Sequence, residues 1–536
     1  PEAAQVSPEF WKSRLHEAIK EIVSSLGERG PTVICFEDLH WADPSFIELL
    51  KALIQSLPHS VLFLCVYRPS FTLFDGQNAE IPDQAYQEIR LQELSASDAQ
   101  AMLKSLLKSE DIPAELTDFV GNKAEGNPFY LEEVVNSLIE SEILIRDNDG
   151  WELARTIGET DIPSTINGVL SARIDRLQKD AKRILQEASV IGRAFFYAIL
   201  KRVSDLKVPV EEYLSGLEQL DLIRVRALEP DLEYIFKHAL TQEVVYNGIL
   251  KKERQEIHER IGLAIETLFK DRLSEFYETL AYHFSHSRSV VKAVNYLIMS
   301  GEKNLVRYAL DESHQFYNQA YKILSEKSFL TSDEKRLLID LLIKMSFVFI
   351  YRANFEGLIT ILNVHRDLVD SLEDTDRQGM FYTCLGFALG QTGRLREAYK
   401  TLHKSLEWCE EANNDKFTAF SYAWLSQTCH ELGLIDDAIV YGKKGQTIAG
   451  QLAWDPLLFS HTVSWTVVSF FYMGECAGIE KISISHLEKG RAKSDPRLII
   501  EAILFEGMMF FTAGDYTSCI KKMDDMIRRA KDPITF

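Results

Sequence analysis

The sequence predicts a mainly α-helical protein that begins with a short α/β segment and ends in a stack of helical hairpins. Two observations support this fold class. Apolar, partly β-branched runs lie near the amino end, at 33–36 and within the string "SVLFLCVYRP" at 60–69, and the first run is typical of a parallel strand that is covered on both faces. In the carboxyl-terminal half, glycine recurs at a nearly constant interval, which is typical of stacked helical repeats.

Length and composition predict several domains in a reducing compartment. The 536 residues exceed the roughly 250 to 300 that one hydrophobic core supports, so three or more domains are expected. The formal charge of -21 disfavours a broad surface for nucleic acid or an anionic membrane. The seven cysteines form no CxxC pair, which favours free thiols. Because no signal peptide and no apolar run of about 20 residues is found, we predict a cytoplasmic protein with no membrane contact and no nucleic-acid partner for this segment.

The first 70 residues are predicted to form helix, strand, helix and strand. The strand at 33–36 is followed by Glu37 and Asp38, and Asp43 has the position of an N-cap for the next helix. The second strand is followed by Arg68. Open α/β sheets bind ligands at these strand ends, where carboxylates hold Mg²⁺ and orient a water while a guanidinium steadies phosphate charge. A solvated strand end beside a helix cap is the alternative.

These residues carry a family resemblance. The strings "VICFEDLHWADPS" and "LCVYRPSF" resemble the Walker B and sensor 1 region of the STAND class of P-loop ATPases. The subgroup in question is found attached to adenylate/guanylate cyclase domains, protein kinases and LuxR-type regulators. The resemblance implies that Glu37 is the magnesium-side acid, that Asp38 orients the water and that Arg68 is the sensor arginine. The commoner residue at the first acid is Asp, so Glu37 departs from the family pattern.

The phosphate-binding loop that such a site needs is absent from the sequence. No string fits G-x-x-x-x-G-K-[ST]. In the resembling family this loop and its strand precede the Walker B strand, so we expect the chain to be a piece of a longer parent that begins after them. The resemblance implies ATP/ADP and Mg²⁺ as cofactors of the complete protein. We expect this fragment by itself to be inactive and to bind ATP weakly.

Two strings further along resemble other elements of the same ATPases. "AEGNPFYLEEVV" resembles the lid motif whose proline packs near the adenine, which implies nucleotide contacts for Gly126 and Pro128. "FKHAL" resembles the "FRHAL" element, and His238 matches a histidine that closes the nucleotide site in the resting state of related proteins. An ordinary turn and a capping or core histidine are the alternatives. Upstream, "IRLQEL" predicts a short strand.

Residues 162–260 predict a winged helix, because three helical patterns are followed by a short hairpin and a long helix. A winged helix can bind DNA. Its candidate helices here mix both charges, as in "RIDRLQKDAKRIL", so we prefer an internal switch module.

The carboxyl-terminal half contains a repeat. Gly393, Gly433, Gly474 and Gly514 open similar strings at spacings of 40, 41 and 40 residues, and stepping back 40 residues reaches Ala353 in a weaker copy. The strings resemble tetratricopeptide repeats of the longer variety, which present a concave surface to peptides or partner domains. Four aromatic residues are candidates for such contacts, with inter-helix core as the alternative: Tyr399, Trp408, Tyr441 and Tyr472.

The complete prediction is a partial α/β P-loop ATPase sheet, a helical lid, a winged helix and an α-helical tetratricopeptide-like superhelix. The corresponding domains are 1–90, 91–160, 161–270 and 271–536. We expect a regulatory signal-transduction module in which an ATP-dependent switch is coupled to repeats that sense a protein or peptide ligand. An effector domain, such as a nucleotide cyclase or a kinase, would lie elsewhere in the same parent chain.

Two other functions remain open at this point. The chain could be an interaction scaffold with a degenerate ATPase remnant, or part of a LuxR-type transcription regulator. Whether the parent hydrolyses ATP or only binds it, and whether it forms a nucleotide-dependent oligomer, is not decided by the sequence.

Overall fold

The computed structural model describes residues 8–56, 60–74, 87–124, 126–147, 150–158, 162–204, 209–229, 231–493 and 495–531. The chain forms two compact units. The first unit combines Pro1–Ile81 with Val294–Phe536, and the second unit is Pro82–Ala293. The division into four domains that the sequence predicts stays a prediction.

Helices dominate both units, as the sequence predicts. In chain order the helices are α1 (Pro8–Arg29), α2 (Pro44–Ser56), α3 (Ala96–Leu107), α4 (Ala114–Ala124), α5 (Pro128–Glu140), α6 (Ile166–Asp175), α7 (Lys179–Ile191), α8 (Tyr197–Val203), α9 (Val210–Gln219), α10 (Ala239–Asn247), α11 (Lys251–Leu268), α12 (Tyr277–Ser285), α13 (Val290–Val306), α14 (Leu310–Ser325), α15 (Ser332–Tyr351), α16 (Phe355–Val364), α17 (Arg366–Asp370), α18 (Thr375–Gln391), α19 (Leu395–Glu411), α20 (Asp415–Glu431), α21 (Ile435–Ala449), α22 (Pro456–Met473), α23 (Cys476–Lys493), α24 (Pro496–Thr512) and α25 (Tyr516–Lys531). The strands are β1 (Thr32–Phe36), β2 (Val61–Cys65), β3 (Leu144–Asp147), β4 (Gly150–Leu153), β5 (Ala194–Phe196), β6 (Ile223–Ala227) and β7 (Glu233–Phe236).

The amino-terminal α/β segment belongs to the first unit. Strands β1 and β2 are parallel, with Thr32 opposite Val61. One face of this pair packs on a core that contains Leu50 and Leu73. The other face is apolar but uncovered in the described part of the chain, since Val33 is 64% exposed and Leu62 is 60% exposed. The expectation that β1 is covered on both faces, as parallel strands usually are, is therefore wrong for the described residues.

The second unit contains two hydrophobic cores. Helices α3 to α6 and the antiparallel hairpin β3–β4 form the first core, and the Trp151 indole donates to the Leu107 carbonyl at 2.8 Å. Helices α7, α9 and α10 pack with an antiparallel sheet of order β5-β7-β6 to form the second core. The short strand expected in "IRLQEL" is not formed. The backbone there has no strand pairing, and Leu91 is 92% exposed, so no partner strand or core holds it extended.

The prediction of helical hairpins in the carboxyl-terminal half is confirmed. Gly393, Gly433, Gly474 and Gly514 lie between consecutive helices and have φ of +77°, +79°, +73° and +78°. A chain reversal through this left-handed region favours glycine because other residues strain their Cβ there. Ala353, the weaker copy, also lies in a turn at φ +51°. The period that glycine marks in the sequence is therefore the period of the hairpins.

Among the described helices, none is both long enough and apolar enough to cross a membrane.

Candidate functional site

The ends of the two parallel strands lie side by side. The Val66 amide donates to the Phe36 carbonyl at 2.8 Å, and the Leu39 amide donates to the Val66 carbonyl at 3.1 Å. The residues that follow β1 and β2 therefore leave the sheet at the same edge. Glu37 and Arg68 are exposed there and Asp38 is half-buried. This is the edge where an open parallel sheet binds ligands.

Asp38 has an unusual backbone conformation. Its φ is +57° and its ψ is +35°, in the left-handed region, and it begins a short 3₁₀ turn over Leu39–Trp41. Aspartate is one of the few residues other than glycine that enters this region regularly. The turn carries Trp41 to the Arg68 guanidinium, whose carbon lies 5.6 Å from the centre of the indole ring. The sensor candidate is thus held on the aromatic face of a residue three positions after Asp38.

The helix after the acid pair begins at Pro44, as predicted. The Asp43 carboxylate accepts the Phe46 amide at 2.7 Å, which confirms Asp43 as the cap. The Ser45 amide is bound from a distant part of the chain, because it donates to the Glu312 carboxylate at 2.8 Å. This contact was not predicted, because no local sequence pattern relates residues that are so far apart in the chain.

In the second unit, Gly126 holds the turn before α5. Its φ is +76°, and a Cβ at this position would lie 2.7 Å from the Leu94 carbonyl oxygen, so glycine is required on two grounds. The Leu94 amide also donates to the Gly126 carbonyl at 2.8 Å. Asn127 then caps α5 by accepting the Tyr130 amide at 3.0 Å, and Pro128 is the first helical residue.

His238 lies against the start of that same helix. Its ring centre is 4.1 Å from the ring centre of Phe129, at an interplanar angle of 37°. Its Nε2 is 3.7 Å from Glu132 Oε2. The structure therefore brings Gly126, Pro128 and His238 into one region of the second unit, although more than a hundred residues separate the two strings.

His238 lies near both basic and acidic side chains. The neighbouring Lys237 ammonium is 2.6 Å from Glu132 Oε1 and also pairs with Asp221. Burial lowers the pKa of His238 below its usual value, and Glu132 opposes that shift. A neutral imidazole is favoured, and its buried Nε2 makes no hydrogen bond among the described residues. Such a group can donate to, or accept from, a ligand that approaches the start of α5.

The six predicted site residues fall into two groups. Glu37, Asp38 and Arg68 lie in the first unit, and Gly126, Pro128 and His238 lie in the second. Mg²⁺ takes one or two carboxylates together with phosphate oxygens and waters, so the acid pair fits magnesium only as part of a nucleotide site. Within the described residues no cluster of three or more His, Cys, Asp or Glu side chains could hold a metal ion by itself.

Sequence reasoning missed Phe129, Glu132 and Lys237. Each is adjacent to a predicted residue or one helical turn from it: Phe129 follows Pro128, Glu132 lies four residues later on α5, and Lys237 precedes His238. The available signal was the spacing along α5, because side chains four residues apart share a helix face.

The aromatic candidates of the repeats differ in exposure. Tyr472 is 71% exposed and lies edge-on to His430, with 5.0 Å between ring centres. Tyr399, Trp408 and Tyr441 are half-buried between helices. Tyr472 is therefore the most accessible of the four candidates.

Comparisons with known proteins give limited matches. A family described as a domain of unknown function (DUF8739) matches residues 95–151. An uncharacterised protein of Rhizobium meliloti (strain 1021) is 24% identical over 333 residues, which cover 60% of this chain and 31% of that protein. The chain thus matches about a third of the length of this curated relative.

Three solved structures are similar at low identity. One is a Signal Transduction ATPase with Numerous Domains (STAND) protein with a tetratricopeptide repeat sensor from Pyrococcus horikoshii, with 14% identity, a TM-score of 0.37, and coverage of 98% of this chain and 86% of that chain. The apo form of RapI has 13% identity and a TM-score of 0.38, with coverage of 77% and 99%. Aspartyl phosphate phosphatase F from Bacillus subtilis has 12% identity and a TM-score of 0.38, with coverage of 80% and 97%. Likeness at these TM-scores carries no functional assignment.

Proposed function

We propose that this chain is the regulatory part of a signal-transduction ATPase, in which a nucleotide-dependent switch is coupled to repeats that sense a protein or peptide partner. One observation carries the proposal. Two strings that resemble nucleotide-contacting elements, "GNP" at 126–128 and "FKHAL" around His238, meet through the contact between His238 and Phe129. Chance resemblances in separate parts of the sequence have no reason to fold against each other.

The proposed switch works through His238. The imidazole sits at the start of α10, directly after β7, and rests on the first turn of α5. A nucleotide bound beside Gly126 and Pro128 would offer phosphate oxygens to the free Nε2 and to Lys237. Closing these contacts would favour one arrangement of the two helices, and losing them would favour another, which is a shift between two populations.

The region from α6 to β7 supports a switch module of the winged-helix type. In chain order this region contains α6, α7, β5, α8, α9 and the hairpin β6–β7, and β5 pairs with β7 to complete a three-stranded antiparallel sheet. The helices carry both charges: Lys182 pairs with Asp175, and Arg183 pairs with Glu187. This distribution favours a module that packs within the protein over one that binds DNA.

In the complete protein, Glu37 and Asp38 would supply carboxylates to nucleotide-bound Mg²⁺ and to a water, and Arg68 would stabilise phosphate charge. Bound nucleotide supplies the phosphates and the magnesium. This chain contributes the acids at one strand end, the guanidinium at the next, and Trp41, whose ring lies 5.6 Å from that guanidinium. The effector domain of the parent, a nucleotide cyclase or kinase in the resembling subgroup, remains part of the proposal.

For the repeats we propose a protein or peptide ligand. Stacked hairpins expose long surfaces at small entropic cost, and Tyr472 offers a large aromatic contact. A nucleotide-dependent oligomer in the complete protein also belongs to the proposal.

Calorimetry tests the nucleotide switch. ATP and ADP, with magnesium, are titrated into this chain and into a version extended upstream by the expected strand and phosphate loop. We expect binding by the extended version only, weakened about tenfold or more by His238→Ala, since a hydrogen bond to a charged group contributes about 1.5–3 kcal/mol. Replacement of His286, an exposed histidine on the neighbouring α12 end, is the matched control.

A second variant tests the acid. Asp38→Asn in the extended version should preserve binding but abolish turnover, because the amide cannot take the proton of the water. Binding by neither version, or full turnover in Asp38→Asn, would favour the scaffold, in which the repeats alone function.

A further inference from the structure

Helix α2 of the first unit has an unusual amino terminus. Pro44, its first residue, has no amide hydrogen, so the exposed donors of the first turn are the Ser45 and Phe46 amides. Asp43 accepts the Phe46 amide at 2.7 Å, which is the ordinary local cap. The Ser45 amide donates instead to Glu312, 267 residues away on α14, at 2.8 Å. One free donor of this helix is therefore satisfied by the repeat half of the chain.

The Glu312 carboxylate has little alternative to this contact. Glu312 is only 9% exposed. Its second oxygen, Oε2, is buried and makes no hydrogen bond among the described residues. A buried carboxylate is costly unless hydrogen bonds and local positive charge compensate it. The Ser45 amide and the partial positive charge at the start of α2 supply that compensation.

Both sides of the contact are anchored in rigid surroundings. On one side, α2 carries Leu50 into the core that also contains Leu39, directly after the acid pair. On the other side, the residues that flank Glu312 are fixed: Asp311 pairs with Arg352 at the end of α15, and the Ser313 hydroxyl donates to the Gly301 carbonyl at 2.8 Å. A displacement of α14 relative to α13 and α15 would therefore pull on the start of α2.

We propose that Glu312 is a latch through which the first repeat helices hold the amino-terminal α/β segment and position its acid pair. In the latched state, α14 caps α2 and the strand ends keep the geometry described above. Rearrangement of the proximal hairpins withdraws the carboxylate, uncaps α2 and loosens β1 and β2. The latch is a property of this chain without nucleotide, so failure of the ATPase proposal would leave it intact.

Hydrogen exchange of the full chain, followed by mass spectrometry, tests the latch. Glu312→Gln removes the charge but keeps an acceptor, and Glu312→Ala removes both. We expect exchange in α2, β1 and β2 to rise several-fold in the first variant and about tenfold or more in the second, because a charge-assisted hydrogen bond is lost. Helices α18 to α21 should exchange as in the wild type.

Glu326→Gln is the matched control. Glu326 lies at the far end of the same helix, is exposed and pairs with Lys322 one turn away. It makes the same change of charge without touching α2, so exchange in α2 should stay at the wild-type rate. Unchanged exchange of α2 in Glu312→Gln would overturn the proposal even if Glu312→Ala did not fold. Equal acceleration of α18 to α21 would also overturn it, because the effect would then be global.

Discussion

The turn positions of the repeats allow a test in which two substitutions have opposite signs. Gly393 lies at φ +77°, and a Cβ built there meets no atom within 4 Å. Gly393→Ala therefore adds backbone strain without a clash. Ala353 lies at φ +51° in the equivalent turn, so Ala353→Gly removes the same strain. The repeat period makes the two changes mirror images of each other.

The magnitude follows from the backbone alone. A left-handed conformation costs a residue with Cβ roughly 1–2 kcal/mol, while alanine recovers about 0.4–1 kcal/mol by restricting the unfolded chain. The net expectation is a loss of about 1 kcal/mol for Gly393→Ala and a gain of about 1 kcal/mol for Ala353→Gly. Gly390 is the internal control. It lies within α18, and a Cβ added there would lie 3.6 Å from Thr428 Oγ1, an ordinary contact distance, so Gly390→Ala should stabilise through helix propensity by up to about 1 kcal/mol.

Urea denaturation monitored by tryptophan fluorescence measures these changes, with hydrogen exchange to assign them to the repeats. A protein of two units need not unfold in one step, and the unfolding transitions of the two units can overlap in urea. Where they overlap, the local free energies of opening from hydrogen exchange show which unit each substitution affects. Destabilisation by Ala353→Gly, or no cost for Gly393→Ala, would show that the turns are not held in the left-handed region. Destabilisation by Gly390→Ala would show instead that any added methyl group disturbs this hairpin.

Three further predictions concern burial. Burial lowers the pKa of His258 and of His283 from 6.5 to about 3, so the unfolded chain binds protons at a higher pH than the folded chain does. The free energy of unfolding should therefore fall as the pH drops from 6.5 toward 3, by up to about 1.4 kcal/mol per pH unit for each histidine. Replacing both histidines by Gln should flatten this slope in acid denaturation. Arg173→Met should lower the free energy of unfolding of the second unit by about 3–5 kcal/mol, because it leaves the buried Glu133 carboxylate without its partner at 2.6 Å. Chemical denaturation measures this change, and a variant as stable as the wild type would contradict the prediction. Gly442→Ala should lower the melting temperature clearly more than Gly393→Ala, because its Cβ would lie 1.9 Å from an oxygen of Thr466.

Local signals predicted much of the fold. The interval between glycines marked four of the hairpin turns, because glycine adopts the left-handed conformation of these turns with the least strain. Asp43 and Pro44 marked the start of α2, and Gly126 and Pro128 marked the turn before α5, for equally local reasons. The string "IRLQEL" at 89–94 was wrong as a strand prediction because a strand also needs a partner, which no local pattern supplies.

The candidate sites needed the folded chain. The contact between His238 and Phe129, and the bond from Ser45 to Glu312, join residues that sequence spacing does not relate. The exposure of one face of β1 likewise depends on which elements pack on it, whereas its apolar residues predicted cover on both sides. The left-handed conformation of Asp38 is also not visible in the sequence, because aspartate there reads equally well as a cap or a ligand.

Strain and the proposed latch occur in the same part of the repeat half. Within the hairpins, the four later turns use glycine, whereas the two earlier ones place Tyr308 at φ +57° and Ala353 at φ +51°. Between hairpins, Glu373 at φ +50° and Asn413 at φ +56° are also left-handed. A bulky or ordinary side chain stays in this region only when surrounding packing over-determines it, at a cost of about 1–3 kcal/mol. The helices between those turns carry Glu312, whose carboxylate depends on α2 for its hydrogen bond. The two strained turns therefore lie on either side of the helix that carries the buried Glu312 carboxylate, so a change in either turn should be felt at the contact with α2.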